Sequence, residues 1–164
     1  NPSLGGVYKL AAMRRPGGDW EPRLKLSEQI VKISTPGLLK MRRFYEDGNA
    51  IGDAIYDERK PPEKEWRIVS PEDPTRRKRI SADAMGEELL VPVFRRGECV
   101  YDPPSLHDIQ QRGREQLQLF HPGIRRFEFP HEYPAGLEQS LHRAKERLVL
   151  AARGHENNDD GKIR

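Results

Sequence analysis

The chain has 164 residues, 35% hydrophobic and 34% charged, and its 29 basic and 26 acidic side chains leave a net charge of only +3. This composition suits one domain with a modest core, and it gives little support to nucleic-acid binding by charge alone. A single cysteine excludes an intramolecular disulfide and a multi-cysteine zinc site. No signal peptide and no apolar run of roughly 20 residues is visible, so we expect a cytoplasmic protein.

The N-terminal part of the chain predicts two antiparallel strands. Residues 7–13 are largely apolar and predict a buried strand, and Pro16-Gly17-Gly18-Asp19 behind them has the composition of a turn. Between Trp20 and Leu26 apolar and charged residues alternate, which is typical of a strand that returns beside the first.

Two hairpins are predicted in the middle of the chain. Residues 39–45 and 50–56 flank Glu46-Asp47-Gly48-Asn49, whose Asp-Gly pair is a strong signal for a tight turn. Residues 89–95 and 98–101 meet at Arg96-Gly97, and the first of these strands is almost wholly apolar. The other elements predicted here are a short strand at 66–69 and exposed loops at 59–64 and 70–78.

Two helices are predicted to follow. Ser105 is a candidate N-cap with Asp108 as its capping-box partner, and Pro122-Gly123 is expected to end this helix. Its apolar stripe consists of Leu106, Ile109, Gly113, Leu117 and Phe120. The second helix is predicted over about 135–152, with a stripe of Leu137, Leu141, Ala144, Leu148 and Ala151. The predicted fold class is therefore α+β, with a β-rich first two-thirds that contains the hairpins and two C-terminal helices.

Few side chains point to catalysis or metal binding. The five histidines are scattered and form no His-x-x-His or His-Glu-x-x-His pair, so no metal site is predicted. Cys99 has no sequence signal of a nearby base or a basic pocket, so we expect a small buried side chain instead of a nucleophile. The basic run Arg76-Arg77-Lys78-Arg79 lacks interleaved aromatic residues, which favours solvated surface or contact with an acidic protein surface.

Several short motifs follow one another along the chain. They are PSLGGVYKL at 2–10, PRLKLSE at 22–28, KISTPG at 32–37, LLVPVF at 89–94, PSL at 104–106, RGR at 112–114 and PHEYP at 130–134. In this order they resemble the C-terminal region of nicotinate phosphoribosyltransferases, over most of the chain up to about Leu150. The chain opens on Asn1 without an initiator methionine and directly on such a motif, so we expect a fragment of a larger enzyme.

The resemblance implies a parent enzyme of the type II phosphoribosyltransferase fold. Such enzymes join nicotinate to 5-phosphoribosyl diphosphate, forming nicotinate mononucleotide on the salvage route to NAD, with ATP hydrolysis and magnesium assisting. An α/β barrel and an N-terminal α/β domain build the active site, commonly across a dimer interface. Residues 1–153 would then be the C-terminal domain, with 1–13 completing or abutting the barrel, and 154–164 would be a disordered tail.

The same resemblance places most of the chemistry outside this chain. We expect no catalytic residue, metal or cofactor here: ATP and magnesium belong to the parent enzyme. The expected partners are the rest of that enzyme and, where the active site is shared, a homodimer partner. Lys9, Lys25 and Ser27 are the ligand-proximal candidates, because a lysine set in an apolar strand can be directed at a phosphate. For both lysines we favour the alternative, in which the stem packs along the sheet and the ammonium reaches water.

Two functions of other classes stay open. One is a stand-alone binding or regulatory module that shares only ancestry with the enzyme. The other is a small nucleic-acid-binding protein that uses Arg76 to Arg79. The loops at 14–19 and 59–64 match no motif, so no role is assigned to them.

Overall fold

The computed structural model describes residues 5, 8–29, 32–62 and 64–154. The strands and helices, in chain order, are β1 (Ala12–Arg14), β2 (Trp20–Pro22), β3 (Leu39–Glu46), β4 (Asn49–Asp57), β5 (Arg67–Val69), β6 (Arg77–Arg79), β7 (Met85–Glu88), β8 (Phe94–Arg95), β9 (Glu98–Cys99), α1 (Leu106–Gln118), α2 (Pro122–Arg125), β10 (Ala135–Glu138) and α3 (Gln139–Ala152). The predicted α+β class is confirmed. None of the helices in the described ranges is long and apolar enough to cross a membrane.

A six-stranded sheet in the order β6-β5-β10-β4-β3-β7 forms the centre of the fold. Its longest pair is the predicted hairpin of β3 and β4, whose turn residues Asp47 and Gly48 have φ angles of 48° and 75°. Positive φ at both positions gives a turn whose twist matches that of the strands, which is why Asp-Gly is favoured there. β10 lies between β4 and β5, parallel to β4 and antiparallel to β5.

The two faces of this sheet are packed differently. Phe44, Ala54, Ile68 and Ile80 form a buried cluster, and the Trp66 ring packs against Phe44 with ring centroids 5.1 Å apart. Side chains alternate along a strand, so the residues that precede Phe44 and Ala54 point to the opposite face. Helix α3 packs against β10, β5 and β4 and buries Leu141.

The predicted strand at 7–13 is mostly wrong. Within the described residues of that range the strand begins only at Ala12, Tyr8 is 98% exposed, and Val7 lies outside the description. β1 and β2 do pair antiparallel, as predicted, but β2 ends at Pro22. The pair forms a separate two-stranded sheet, which is too small to bury an apolar strand on both faces.

The second predicted hairpin is much shorter than expected. Its strands are β8 and β9, on either side of the predicted turn at Arg96-Gly97, and residues 89–93 are not a strand. Pro92 cannot donate a backbone hydrogen bond to a ladder. Cys99 is exposed and not buried as predicted, because this hairpin lies apart from the six-stranded sheet.

The predicted helices are corrected at two of their four ends. α1 begins as predicted, with the Ser105 side chain and Asp108 in a reciprocal capping box, but it ends at Gln118. Pro122-Gly123 opens α2 instead of ending α1. Ala135–Glu138 forms a strand, so α3 begins only at Gln139. The strand is favoured because Leu137 and its neighbours hydrogen-bond to strands on both sides, which short-range patterns do not reveal. Apart from Gly154, the predicted disordered tail lies outside the described residues.

We expect Gly136→Ala to lower the free energy of unfolding by about 2–3 kcal/mol, as overpacking of a tight core does. A β-carbon at Gly136 would lie 2.1 Å from the Val69 carbonyl oxygen, so β10 and β5 would have to move apart. Urea unfolding followed by circular dichroism measures the change. Gly113→Ala is the matched control, because a β-carbon there meets nothing within 4 Å. Equal stability of Gly136→Ala and the wild type would contradict this packing.

Candidate functional site

The structure places two of the three ligand-proximal candidates near helix α3. The Lys9 ammonium donates a 2.7 Å hydrogen bond to the Lys32 carbonyl oxygen. The Ser27 carbonyl oxygen accepts a 3.5 Å hydrogen bond from Arg153, which follows α3. The Lys25 side chain is exposed, and its backbone N–H donates to the Ser34 hydroxyl at 2.7 Å. Lys9 and Ser27 are thus brought to one region, whereas the Lys25 side chain faces water.

Lys145 also lies in this region, although no sequence pattern marked it as a candidate. From α3 its ammonium donates to the Ile33 carbonyl oxygen at 3.2 Å and to the Thr35 hydroxyl at 3.4 Å. Burial lowers the pKa of Lys145, and the nearby positive charge of Lys9 lowers it further. Two ammonium groups therefore lie on adjacent backbone carbonyls, those of Lys32 and Ile33. An anion between them would relieve their repulsion.

A groove of about 850 Å³ runs along α3 beside these groups. Its apolar lining includes Ile33, Leu137, Val149 and Leu150. Its charged lining consists of four basic side chains, Arg143, Lys145, Arg147 and Arg153, and one acidic side chain, Glu146. Such a surface is suited to an anionic molecule that also has an apolar part. Within the described ranges, no group of three or more His, Cys, Asp and Glu side chains is placed to hold a metal ion. The chemistry this region supports is binding.

The strongest polar interaction in the described residues lies in the six-stranded sheet, between β3 and β4. Arg43 Nε donates to Asp53 Oδ1 and Arg43 Nη2 to Asp53 Oδ2, both at 2.8 Å. The pair is almost fully buried and links two directly opposite residues of the hairpin. Hydrogen bonding to Asp53 raises the pKa of Arg43, so the guanidinium stays charged.

Residues from distant parts of the chain complete this ion pair. The Tyr133 hydroxyl donates to Asp53 Oδ1 at 2.8 Å, and Arg43 Nη1 donates to Gln116 Oε1 of α1 at 2.9 Å. Burial, followed by the hydrogen bond to Asp53, raises the pKa of Tyr133. The Phe120 ring lies 5.1 Å from the Arg43 guanidinium carbon and 4.8 Å from the Tyr133 ring. Because both carboxylate oxygens and all three guanidinium nitrogens are hydrogen-bonded within the chain, this network is a structural joint.

Two of the four cations in the basic run at Arg76–Arg79 pair with nearby acidic groups. Arg76 forms an ion pair with Glu132, and Arg79 forms one with Glu65. Arg77 Nε donates to the Pro74 carbonyl oxygen at 2.8 Å. A nucleic-acid surface needs cations that are free to replace counterions. The local pairing therefore disfavours that function for this run.

A family model described as the nicotinate phosphoribosyltransferase C-terminal domain matches residues 40–145. The chain belongs to this family. The match covers the sheet and its ion pair, including Arg43, Asp53 and Tyr133, but Lys9, Lys25 and Ser27 lie before it. The resemblance noted in the sequence is thereby confirmed.

Curated relatives agree with the family assignment. The nicotinate phosphoribosyltransferase of Bacillus subtilis is 31% identical over 159 residues, which are 90% of this chain and 32% of that protein. The human enzyme is 32% identical over 146 residues, 85% of this chain and 26% of that protein. A crystal structure of human nicotinic acid phosphoribosyltransferase has a TM-score of 0.61 at 22% identity, over 81% of this chain and 27% of that one. This chain thus spans about a third or less of its relatives.

We expect Asp53→Asn to lower the free energy of unfolding by about 3 kcal/mol, because it leaves the buried Arg43 charge without its partner. Urea unfolding followed by Trp fluorescence measures the loss, since Trp66 packs in the core. Glu65→Gln is the matched control, because Glu65 pairs with Arg67 at the surface and such pairs contribute less than about 1 kcal/mol. Similar losses in both variants would show that the buried pair has no special role.

Proposed function

We propose that this chain is the C-terminal domain of an enzyme that forms nicotinate mononucleotide from nicotinate and 5-phosphoribosyl diphosphate, with ATP hydrolysis, in NAD salvage. The similarity to the Bacillus subtilis enzyme over 90% of the chain is the observation that carries this proposal. The domain itself would extend over residues 1–153. Its first 13 residues would complete or abut the catalytic barrel of the same polypeptide.

The part that this domain plays in the enzyme is positional. Its strongest polar interaction is satisfied within the chain, since Arg43 and Asp53 are also hydrogen-bonded to Gln116 and Tyr133. The described residues hold no cluster suited to a metal ion. We therefore assign ATP, magnesium and the catalytic residues to the remaining part of the enzyme, where magnesium would neutralise the phosphates of the bound substrates. That part, and a homodimer partner where the active site is shared, would be the contacts of this chain in the cytoplasm.

Lys9 has the best support among the three ligand-proximal candidates. Its ammonium lies beside that of Lys145, at the end of a groove lined by further basic side chains. A phosphate group of a substrate would be attracted to such a concentration of positive charge. Ser27 lies in the same region through its contact with Arg153. Lys25 has weaker support: both lysines are exposed, but only Lys9 lies close enough to Lys145 to lower its pKa.

The complete polypeptide that contains this chain should form nicotinate mononucleotide, and the 164-residue chain alone should not, because we assign the catalytic residues and most of the substrate contacts to the rest of the enzyme. The measurement is product formation from nicotinate, 5-phosphoribosyl diphosphate and ATP, with heat-denatured protein as the control. An inactive complete polypeptide would refute the proposed reaction. Turnover by the isolated chain would refute the positional role and show that the active site lies within these 164 residues.

In the complete enzyme, Lys9→Ala should raise the apparent KM for 5-phosphoribosyl diphosphate by about tenfold, the loss typical of a charge-assisted hydrogen bond. Lys25→Ala is the matched control, because it removes the same charge, and the charge that acts on Lys145 is that of Lys9 and not of Lys25. This variant should leave the kinetics near those of the wild type. Steady-state kinetics with varied 5-phosphoribosyl diphosphate gives both values. An unchanged KM in Lys9→Ala, or a tenfold rise in Lys25→Ala, would reverse the assignment of these two lysines.

A further inference from the structure

Helix α1 carries an apolar stripe that the described part of the chain leaves uncovered. Leu106 is 71% exposed, Ile109 52% and Leu117 58%. None of the 13 residues of α1, all of which are described, is buried. In a globular protein such a stripe normally packs against another element. Large exposed apolar patches on monomers mark interaction surfaces.

The helix is also attached to the rest of the domain mainly at one end. Gln116 accepts a hydrogen bond from Arg43, and the Leu119 carbonyl oxygen accepts one from the Ala50 N–H at 2.7 Å. The first turns of α1 have the capping box of Ser105 as their principal support. A helix of 13 residues is marginal in water without tertiary packing. The apolar stripe of α1 therefore needs a partner to stabilise it.

Gly113 indicates how closely the partner approaches. It lies within the stripe, and a β-carbon added there would meet no described atom within 4 Å. Glycine is less favourable than alanine inside a helix, and at Gly113 no contact within the described residues compensates for it. A glycine on an apolar helix face allows a second backbone to pack closer than a larger side chain would permit.

We propose that the stripe formed by Leu106, Ile109, Gly113 and Leu117, the α1 face, docks a helix of the remaining nicotinate phosphoribosyltransferase polypeptide that crosses α1 at Gly113. The inference rests on the proposed function. The matched segments are only 32% of the Bacillus subtilis relative and 27% of the human structure, so most of such a polypeptide lies outside this chain. The segment that precedes α1 also has uncovered apolar side chains, since Leu90, Val91 and Phe94 are exposed.

The test compares Gly113→Leu in the 164-residue chain and in the complete polypeptide. In the chain alone the leucine meets open space and removes an unfavourable glycine, so the melting temperature should stay level or rise. In the complete polypeptide the same side chain should displace the docked helix and lower the melting temperature by about 3 °C or more. A melting temperature that falls in the complete polypeptide but not in the chain alone is expected only if the α1 face is covered in the complete polypeptide.

Gln111→Leu is the matched control, because position 111 lies on the opposite side of α1, where Gln111 donates to Glu115 at 2.8 Å. This variant should behave alike in both proteins. Equal effects of Gly113→Leu in the two proteins would refute the docking face even if the complete polypeptide is active. If the complete polypeptide is inactive but Gly113→Leu lowers its melting temperature and not that of the chain alone, the proposed function is refuted and the docking face is supported. The chain alone could instead form concentration-dependent dimers that Gly113→Leu abolishes. A second copy would then occupy the α1 face, and the proposal would be overturned.

Discussion

The buried ion pair of Arg43 and Asp53 connects parts of the chain that are otherwise far apart in sequence. It joins β3 to β4, reaches α1 through Gln116, and holds the segment before β10 through Tyr133. Two charges taken out of water are costly unless every donor and acceptor is used, and here both carboxylate oxygens and three guanidinium nitrogens are. The position of α1 beside the sheet therefore depends on this pair, together with the backbone hydrogen bond from Ala50 to Leu119.

The pair in turn depends on an irregularity in the hairpin. Counting outward from the turn at Asp47-Gly48, a regular ladder would place Arg43 opposite Gly52. The register shifts between Phe44 and Tyr45, so that Arg43 faces Asp53. A bulge of one residue in a strand reverses which side chains share a face. A regular hairpin would therefore turn Asp53 away from Arg43, and the joint with α1 and Tyr133 could not form.

Features set by neighbouring residues could be predicted from the sequence, whereas features that depend on distant parts of the chain could not. The β3–β4 turn and the Ser105 cap were predictable, because each is set by residues within a few positions of one another. The strand β10 was not, because it is defined by neighbours on two other strands. The contact of Lys145 with Ile33 spans 112 positions and leaves no local pattern. Apolar patterns around Tyr8 and in α1 predicted burial, yet both regions are exposed in the described residues. An apolar pattern shows that a side chain favours burial, but it does not identify the part of a protein that buries it.

The distribution of covered and uncovered surface suits a domain that works within a larger polypeptide. Helix α3 closes one side of the sheet and holds the segment around Ile33 and Ser27 through Lys145 and Arg153. On the other side of the ion pair, α1 leaves an apolar stripe in water. Both regions are fixed to the same sheet. In the proposed enzyme, a helix docked on α1 would therefore fix the position of the sheet, and through α3 the position of the segment that carries Ser27. Because Arg43 joins α1 to the sheet, the geometry of the basic groove and that of the docked helix would be coupled through Asp53.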